Sequence, residues 1–184
     1  FLFFLFFLLF LFFFCFFVFF LLCFCFVVYD FVLLVEVVNV AGVINVAGVV
    51  DVVGGIPHFE RTMDDGSESI KILCELAEKR ELLIDMHCDE SDDPNSRHIE
   101  TLTYHTNRLK MHGRVAGSHL TSMHSMDNYY FSKLIGLMVE AEMNVIPNPL
   151  INITIQGKHD NYPKRRVMTR VHEQIKEGLN VAFG

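Results

Sequence analysis

Positive charge is missing from the first third of this 184-residue chain: no Lys or Arg precedes Arg61. Residues 1–28 carry no charged side chain of either sign, yet they hold fifteen of the nineteen Phe. A secretory leader has a basic start and a small-residue cleavage site. The tract has neither, and no starting Met. It is long enough for a bilayer, which takes about 20 apolar residues, but it lacks the flanking cations that orient a membrane helix. Residues 1–28 therefore read as artefactual low-complexity sequence or as a membrane anchor, and a membrane enters as a partner only in the second case. Residues 29–48 read as a Val/Gly-rich repeat linker. The six-residue pattern Asn39–Ile44 recurs at Asn45–Val50 and Asp51–Ile56. Three copies are the minimum for a stacked β-solenoid, which is a third reading of this region.

Other absences narrow the function. From residue 57 on, 19 acids face 15 bases. A nucleic-acid groove needs a basic face, so nucleic acid is not expected as a partner. None of the five cysteines forms a metal-type Cys-x-x-Cys pair: Cys15, Cys23 and Cys25 sit in the apolar tract, and Cys74 and Cys88 stand alone. No disulfide framework is implied, and a cytoplasmic location fits. The small zinc deaminases of nucleosides and nucleic acids use His-x-Glu with Pro-Cys-x-x-Cys, which is also missing.

What is present alternates between two periods. Val49 to Ile56 reads as a buried strand. Ser67 to Lys79 reads as a helix capped by Ser67, with Ile70, Leu73, Cys74 and Ala77 at helical spacing. Leu82 to Cys88 is a strand, and Pro94 to Lys110 a helix with Pro94 in the tolerated first turn. Val115 to His119 is a strand and Asn128 to Glu142 a helix. Asn144 to Pro147 is a short strand followed by a long polar loop. Thr169 to Glu177 is a helix that Gly178 stops, and Asn180 to Phe183 begins a strand. About five strands and four helices in alternation imply parallel strands with right-handed crossovers. The expected fold class is α/β, a partial (β/α)8 TIM-type barrel over residues 49–184. A doubly wound sheet would bring a Gly-rich phosphate turn after its first strand, and Gly54-Gly55-Ile56-Pro57-His58 is not one.

Two of these strands end in histidine. Leu82–Glu90 closes on His87-Cys88-Asp89-Glu90, and Arg114–His119 closes on His119. Barrel enzymes keep their chemistry at strand C-terminal ends. A strand-end imidazole can bind a divalent metal, and Glu90, in the adjoining loop, can take a proton from an activated water. Both histidines could instead be satisfied core residues, with Glu90 a solvated acid. His58 lines the same mouth or is structural. His124 reads as structural, Cys88 as a packed thiol, and Asp89 as an orienting or capping group. Asn148 donates to a substrate or satisfies loop backbone. Lys164-Arg165-Arg166 reads as a solvated loop run.

The exact strings go further. Ile56-Pro57-His58-Phe59-Glu60, Asp85-Met86-His87-Cys88-Asp89-Glu90, Asp92-Asp93-Pro94, Gly117–Ser125, Pro147–Ile153, Gln156-Gly157 and Tyr162-Pro163-Lys164-Arg165-Arg166 resemble the amidohydrolase superfamily, and within it the bacterial-type cytosine deaminases. The resemblance runs from about Val52 to Gly184. It implies that His87 is a metal ligand and that Glu90 is the acid/base that moves protons between water, ring nitrogen and ammonia. It implies that His119 steers the attacking water. The cofactor it implies is one divalent metal ion, iron or zinc. The substrate is a small amino-heterocycle such as cytosine, and the full-length protein is expected to be a homo-oligomer.

Three parts of the family pattern are not matched. The His-x-His metal pair and the substrate-binding glutamine have no counterpart before residue 57, where neither His nor Gln occurs. The last metal-binding aspartate would fall just beyond Gly184. The chain therefore reads as a central fragment of such an enzyme. Alternatives are an inactive or degenerate barrel fragment, or an amidohydrolase acting on an aminotriazine or a cyclic amidine.

Overall fold

The computed structural model describes residues 51–164 and 168–184. The apolar tract with Cys15, Cys23 and Cys25, the repeat before Asp51, and Arg165 and Arg166 lie outside them. Five strands, β1 (Val52–Gly55), β2 (Leu83–Cys88), β3 (Val115–His119), β4 (Asn144–Ile146) and β5 (Asn180–Val181), form one sheet in the order β1-β2-β3-β4-β5. Every pairing is parallel. The helices among the described residues are α1 (Met63–Arg80), α2 (His98–Arg108), α3 (Asn128–Glu140), α4 (Pro149–Ile155) and α5 (Val171–Lys176). Single 3-10 turns follow β1 (Pro57–Phe59) and β3 (Thr121–His124).

Strand order equals chain order, so the sheet has no switch point where a doubly wound fold would reverse. Each crossover adds the next strand on the same side, which is how a (β/α)8 barrel grows. The fold is a partial TIM-type barrel of the α/β class.

Period-two burial decides which face does what. Val53, Ile84, Met86, Cys88, Val115 and Val145 are buried on the helix side. They share one cluster with Ile70, Leu73 and Ala77 of α1, Ile99 and Leu102 of α2, and Leu134 and Met138 of α3. The other face carries Val52 and Leu83, paired in register, at 47% and 46% exposure, with Asp85 and His87 further along β2.

The helix ends differ from the sequence reading for reasons visible in the hydrogen bonds. α1 begins at Met63, four residues before the expected Ser67 cap, because the Thr62 hydroxyl accepts from the Asp65 N–H at 3.1 Å. Ser67 lies inside the helix, its Oγ 3.4 Å from Thr101 Oγ1. α2 begins at His98 rather than Pro94. The residues between form a turn in which Asp93 Oδ1 accepts from Asn95 N at 2.8 Å. α4 replaces the first part of the expected polar loop, making a fifth helix where four were expected. It starts at Pro149, where the missing N–H costs nothing.

Gly66 is a close approach between α1 and α2. A Cβ there would overlap His98 Nε2 and stand 2.5 Å from the Pro57 carbonyl oxygen. Replacing Gly66 with Ala should therefore destabilise the fold by about 1–3 kcal/mol, the usual penalty of overpacking a tight contact. Urea unfolding followed by circular dichroism measures it. An unchanged midpoint would mean that His98 and the 3-10 turn retreat freely.

Candidate active site

β2 ends inside the core at Cys88, fully buried, its thiol pushed well above the ordinary value by burial. The packed-thiol expectation matches this position. The next residue, Asp89, has φ of 53°, in the left-handed region that L-residues seldom occupy. This turn sends two successive carboxylates to opposite sides.

Asp89 is fully buried and points at the start of α2. Its Oδ1 accepts from Ser96 Oγ (2.8 Å), His98 N (3.0 Å) and His98 Nδ1 (3.0 Å), and its Oδ2 from Ile99 N (2.8 Å). An ionised carboxylate only accepts, so His98 carries its proton on Nδ1. Arg97, the residue at the N-cap position, makes no side-chain cap bond. Asp89 thus caps the helix from outside, where the N-terminal N–H groups and the helix dipole favour an anion. The Asp89 carbonyl accepts from Ser122 N and Thr121 Oγ1, both at 3.1 Å, which ties the turn after β3 to the turn after β2.

Glu90 emerges on the other side, with Oε1 2.9 Å from His119 Nδ1. Burial opposes its ionisation. The His119 hydrogen bond and the charges of His119, His58 and His87 outweigh that effect and hold its pKa below the ordinary glutamate value.

His119 reaches this position by breaking the sheet's alternation. In register it pairs with Cys88, which faces the helices. Its φ of 69°, followed by 53° at Leu120, turns the ring, and Leu120 N then donates to the Cys88 carbonyl at 3.1 Å. The His87 and His119 ring centroids end 4.8 Å apart, planes inclined at 60°. His87 is partly open to solvent. Burial of its ring, then the charge on His119, lowers its pKa and favours the neutral imidazole.

The structure therefore brings His87, His119 and Glu90 together at the C-terminal ends of β2 and β3. His58 joins the edge of the group: its Nδ1 donates to the His87 carbonyl at 3.1 Å, while its buried Nε2 has no partner. His124 is exposed on the 3-10 turn, and the Asn148 amide donates to the Ile146 carbonyl at 3.3 Å, the backbone role among its two readings.

One residue of the cluster was not singled out from sequence. Asn152, on α4, is fully buried, and its Nδ2 lies 3.0 Å from Glu90 Oε1 and 2.9 Å from His119 Nδ1. The helix that carries it turns Leu150 (85% exposed), Ile151 and Ile153 outward, the reverse of an amphipathic pattern. Its only signal was its place in the string Pro147–Ile153.

A family model described as "Amidohydrolase family" matches residues 42–184. The chain belongs to that family. This amidohydrolase is similar to the 5-methylcytosine deaminase of Klebsiella pneumoniae, solved with phosphonocytosine and with 5-fluorocytosine. They share 44% identity and a TM-score of 0.73, over 76% of this chain and 34% of the other. It is 32% identical over 125 residues to an uncharacterized protein of Haemophilus influenzae, covering 67% of this chain and 45% of that protein. It is 26% identical over 100 residues to a pterin deaminase of Rhizobium rhizogenes, covering 54% and 23%. The chain thus spans about a third of the deaminase structure and less than half of either curated relative.

Members of the family typically bind a divalent metal. Among the described residues, no group of three or more His, Cys, Asp or Glu side chains could hold one. His87, whose ring makes no side-chain hydrogen bond among the described residues, would suit a single ligand position, and three or four protein ligands are usual. Among the described residues no helix is long and apolar enough to cross a membrane.

The Asp89 clamp yields a test. Asp89→Ala strands the N–H groups of His98 and Ile99 at about 1–3 kcal/mol each, so the variant should lose roughly 2–6 kcal/mol of stability. Chemical denaturation measures the loss. A loss under about 1 kcal/mol, the net worth of one ordinary hydrogen bond, would show that water replaces the carboxylate.

Proposed function

We propose that the whole protein is a metal-dependent hydrolase that removes the amino group of cytosine or a closely related heterocycle as ammonia. The observation that carries this reading is the convergence of His87, His119 and Glu90 at neighbouring strand ends, in a chain 44% identical to a 5-methylcytosine deaminase.

In this reading His87 is one ligand of a divalent ion, iron or zinc, and further ligands come from outside the described residues. When bound, such an ion lowers the pKa of the attacking water toward about 7. The remaining steps belong to the protein. His119 orients the water toward the amino-bearing ring carbon. Glu90, held as a carboxylate in the resting site, takes a proton from the water as its oxygen bonds to that carbon. Glu90 delivers this proton to the adjacent ring nitrogen. It carries the second proton to the amino group, the C–N bond breaks, and ammonia leaves. The ring retains a carbonyl oxygen and an N–H. Glu90 Oε1 lies 2.9 Å from His119 Nδ1, which places the proton carrier beside the ring that orients the water.

The relatives include a deaminase of pterin, so the ring accepted is open to test. The experiment is elemental analysis of the whole protein together with ammonia release from cytosine, 5-methylcytosine, an aminotriazine and a pterin. A bound divalent metal and ammonia from a cytosine-type ring are expected. Glu90→Gln should lower kcat by about 10²–10⁴-fold, the range for general acid–base catalysis, with metal content unchanged. A protein that binds no metal and releases no ammonia from the panel would falsify the assignment. Turnover retained in the Gln variant would remove Glu90 from the proton path.

A further inference from the structure

Glu90 Oε1, His119 Nδ1 and Asn152 Nδ2 form a triangle with sides of 2.9, 2.9 and 3.0 Å. Three such edges cannot all be hydrogen bonds at once. An imidazole Nδ1 offers either one N–H or one lone pair, while an amide Nδ2 offers two hydrogens. With a proton on Nδ1, His119 donates to Glu90, and Asn152 donates to Glu90 as well. With Nδ1 bare, Asn152 divides its two hydrogens between Nδ1 and Glu90. The Asn152–Glu90 bond is the edge common to both arrangements.

A second feature is the energetic position of Asn152. It is the one buried residue of α4, and its Oδ1 has no partner. An unpaired buried carbonyl is destabilising by about 1–3 kcal/mol. A fold-only requirement at this position would be met better by an apolar side chain of the same shape, such as Leu. The hydrogen-bond contacts of its side chain are to the acid and the imidazole.

We infer that Asn152 is a positioning residue, whose amide N–H holds the Glu90 carboxylate against the His119 ring in either tautomer of that ring. The inference rests on the deaminase reading for its consequence in turnover. Its geometry stands separately. Glu90 sits in the loop after β2, not in a strand, and three rotatable bonds set where its carboxylate oxygens lie. His119 alone would hold it only while Nδ1 is protonated. Asn152 removes that dependence, so the carboxylate stays in place as protons move. α4 is itself anchored to deliver the amide: Gln156 Nε2 donates to Thr121 Oγ1 at 3.0 Å, and Gly157 N donates to Asp92 Oδ2 at 2.8 Å. Those bonds fix the far end of α4 to the turns after β3 and β2.

The test uses Asn152→Leu and Asn152→Asp in the whole protein, Leu keeping the branching of Asn and Asp its volume. Leu removes the donor. Asp replaces the donor with a like charge beside Glu90. Each variant is read by kcat and KM on the best ring of the panel, by metal content, and by the ¹⁵N resonances of the His119 ring. A fall in kcat of about 10–100-fold is expected, the size of effect that sub-ångström to ångström misplacement produces. KM and metal content should stay within twofold, and the His119 resonances should move in both variants. A purely structural role would instead change the unfolding midpoint and leave the split between kcat and KM untouched. Wild-type kcat with unmoved His119 resonances in Asn152→Leu would overturn the inference. A wild type inactive on every ring would sink the deaminase reading, and the ring resonances would then decide the positioning role alone. Should neither variant fold, a crystal structure of the wild type decides it. Asn152 Nδ2 more than 3.5 Å from Glu90 would end the claim.

Discussion

A single buried carboxylate sets the course of this segment. Asp89 sits between a core residue, Cys88, and a site residue, Glu90, and takes four hydrogen bonds from the beginning of α2. A carboxylate withdrawn from water is tolerated only when such donors replace the solvent. The chain turns at Asp89, and after a nine-residue connection α2 starts where its free N–H groups meet the anion. Glu90 is delivered to the site as a by-product of that constraint. The Asp89 carbonyl extends the same control to the turn after β3 through Thr121 and Ser122.

The chemistry lies where regular sheet geometry stops. Within the strands, alternation assigns each residue to the helix side or the open side, and no His119 in ordinary β conformation could meet His87. Left-handed residues at Asp89, His119 and Leu120 override the alternation just past the ladder. Each is a non-glycine residue in a sparsely populated region, where strain is usually tolerated because the surroundings over-determine it. The surroundings here are the Asp89 clamp and the Leu120 N–H to Cys88 carbonyl bond.

The same distinction explains how much could be read from sequence. β2 and β3 were legible because their apolar runs stop at turn chemistry, and their histidines stand in the last turns of those runs. The helices were legible through Ile70, Leu73, Ala77, Leu134 and Met138, which recur at helical spacing and are buried. The start of α2 was not, since its cap comes from Asp89 in a different element rather than from the residue preceding the helix. α4 was invisible because its apolar residues face outward and its inward residue is an amide. The left-handed turn at His119 left no trace either, since the usual marker of such a turn is glycine or asparagine. Strand-end position pointed to His87, His119 and Glu90, the strings resembling a family supplied their expected roles, and Asn152 was singled out by neither.

The described segment divides the work of its proposed site unequally. In the proposed reading the proton-handling groups all lie within it: an acid, an imidazole and an amide whose polar atoms stand 2.9–3.0 Å apart. In that reading the metal-holding groups do not, for among the described residues His87 would supply one imidazole where three or four ligands are usual. These two functions have different physical demands. Proton transfer requires heavy atoms held within hydrogen-bond distance, and a network of neutral and charged hydrogen bonds can achieve that from one continuous stretch of chain. A metal requires donors that converge from several directions, which one side of a barrel cannot supply. The open face of the sheet, with Val52 and Leu83 exposed beside Asp85 and His87, is the side from which such donors would have to come. The acid, the imidazole and the amide come from the loop after β2, the end of β3 and α4, the helix after β4; these three strands neighbour one another in the chain and in the sheet.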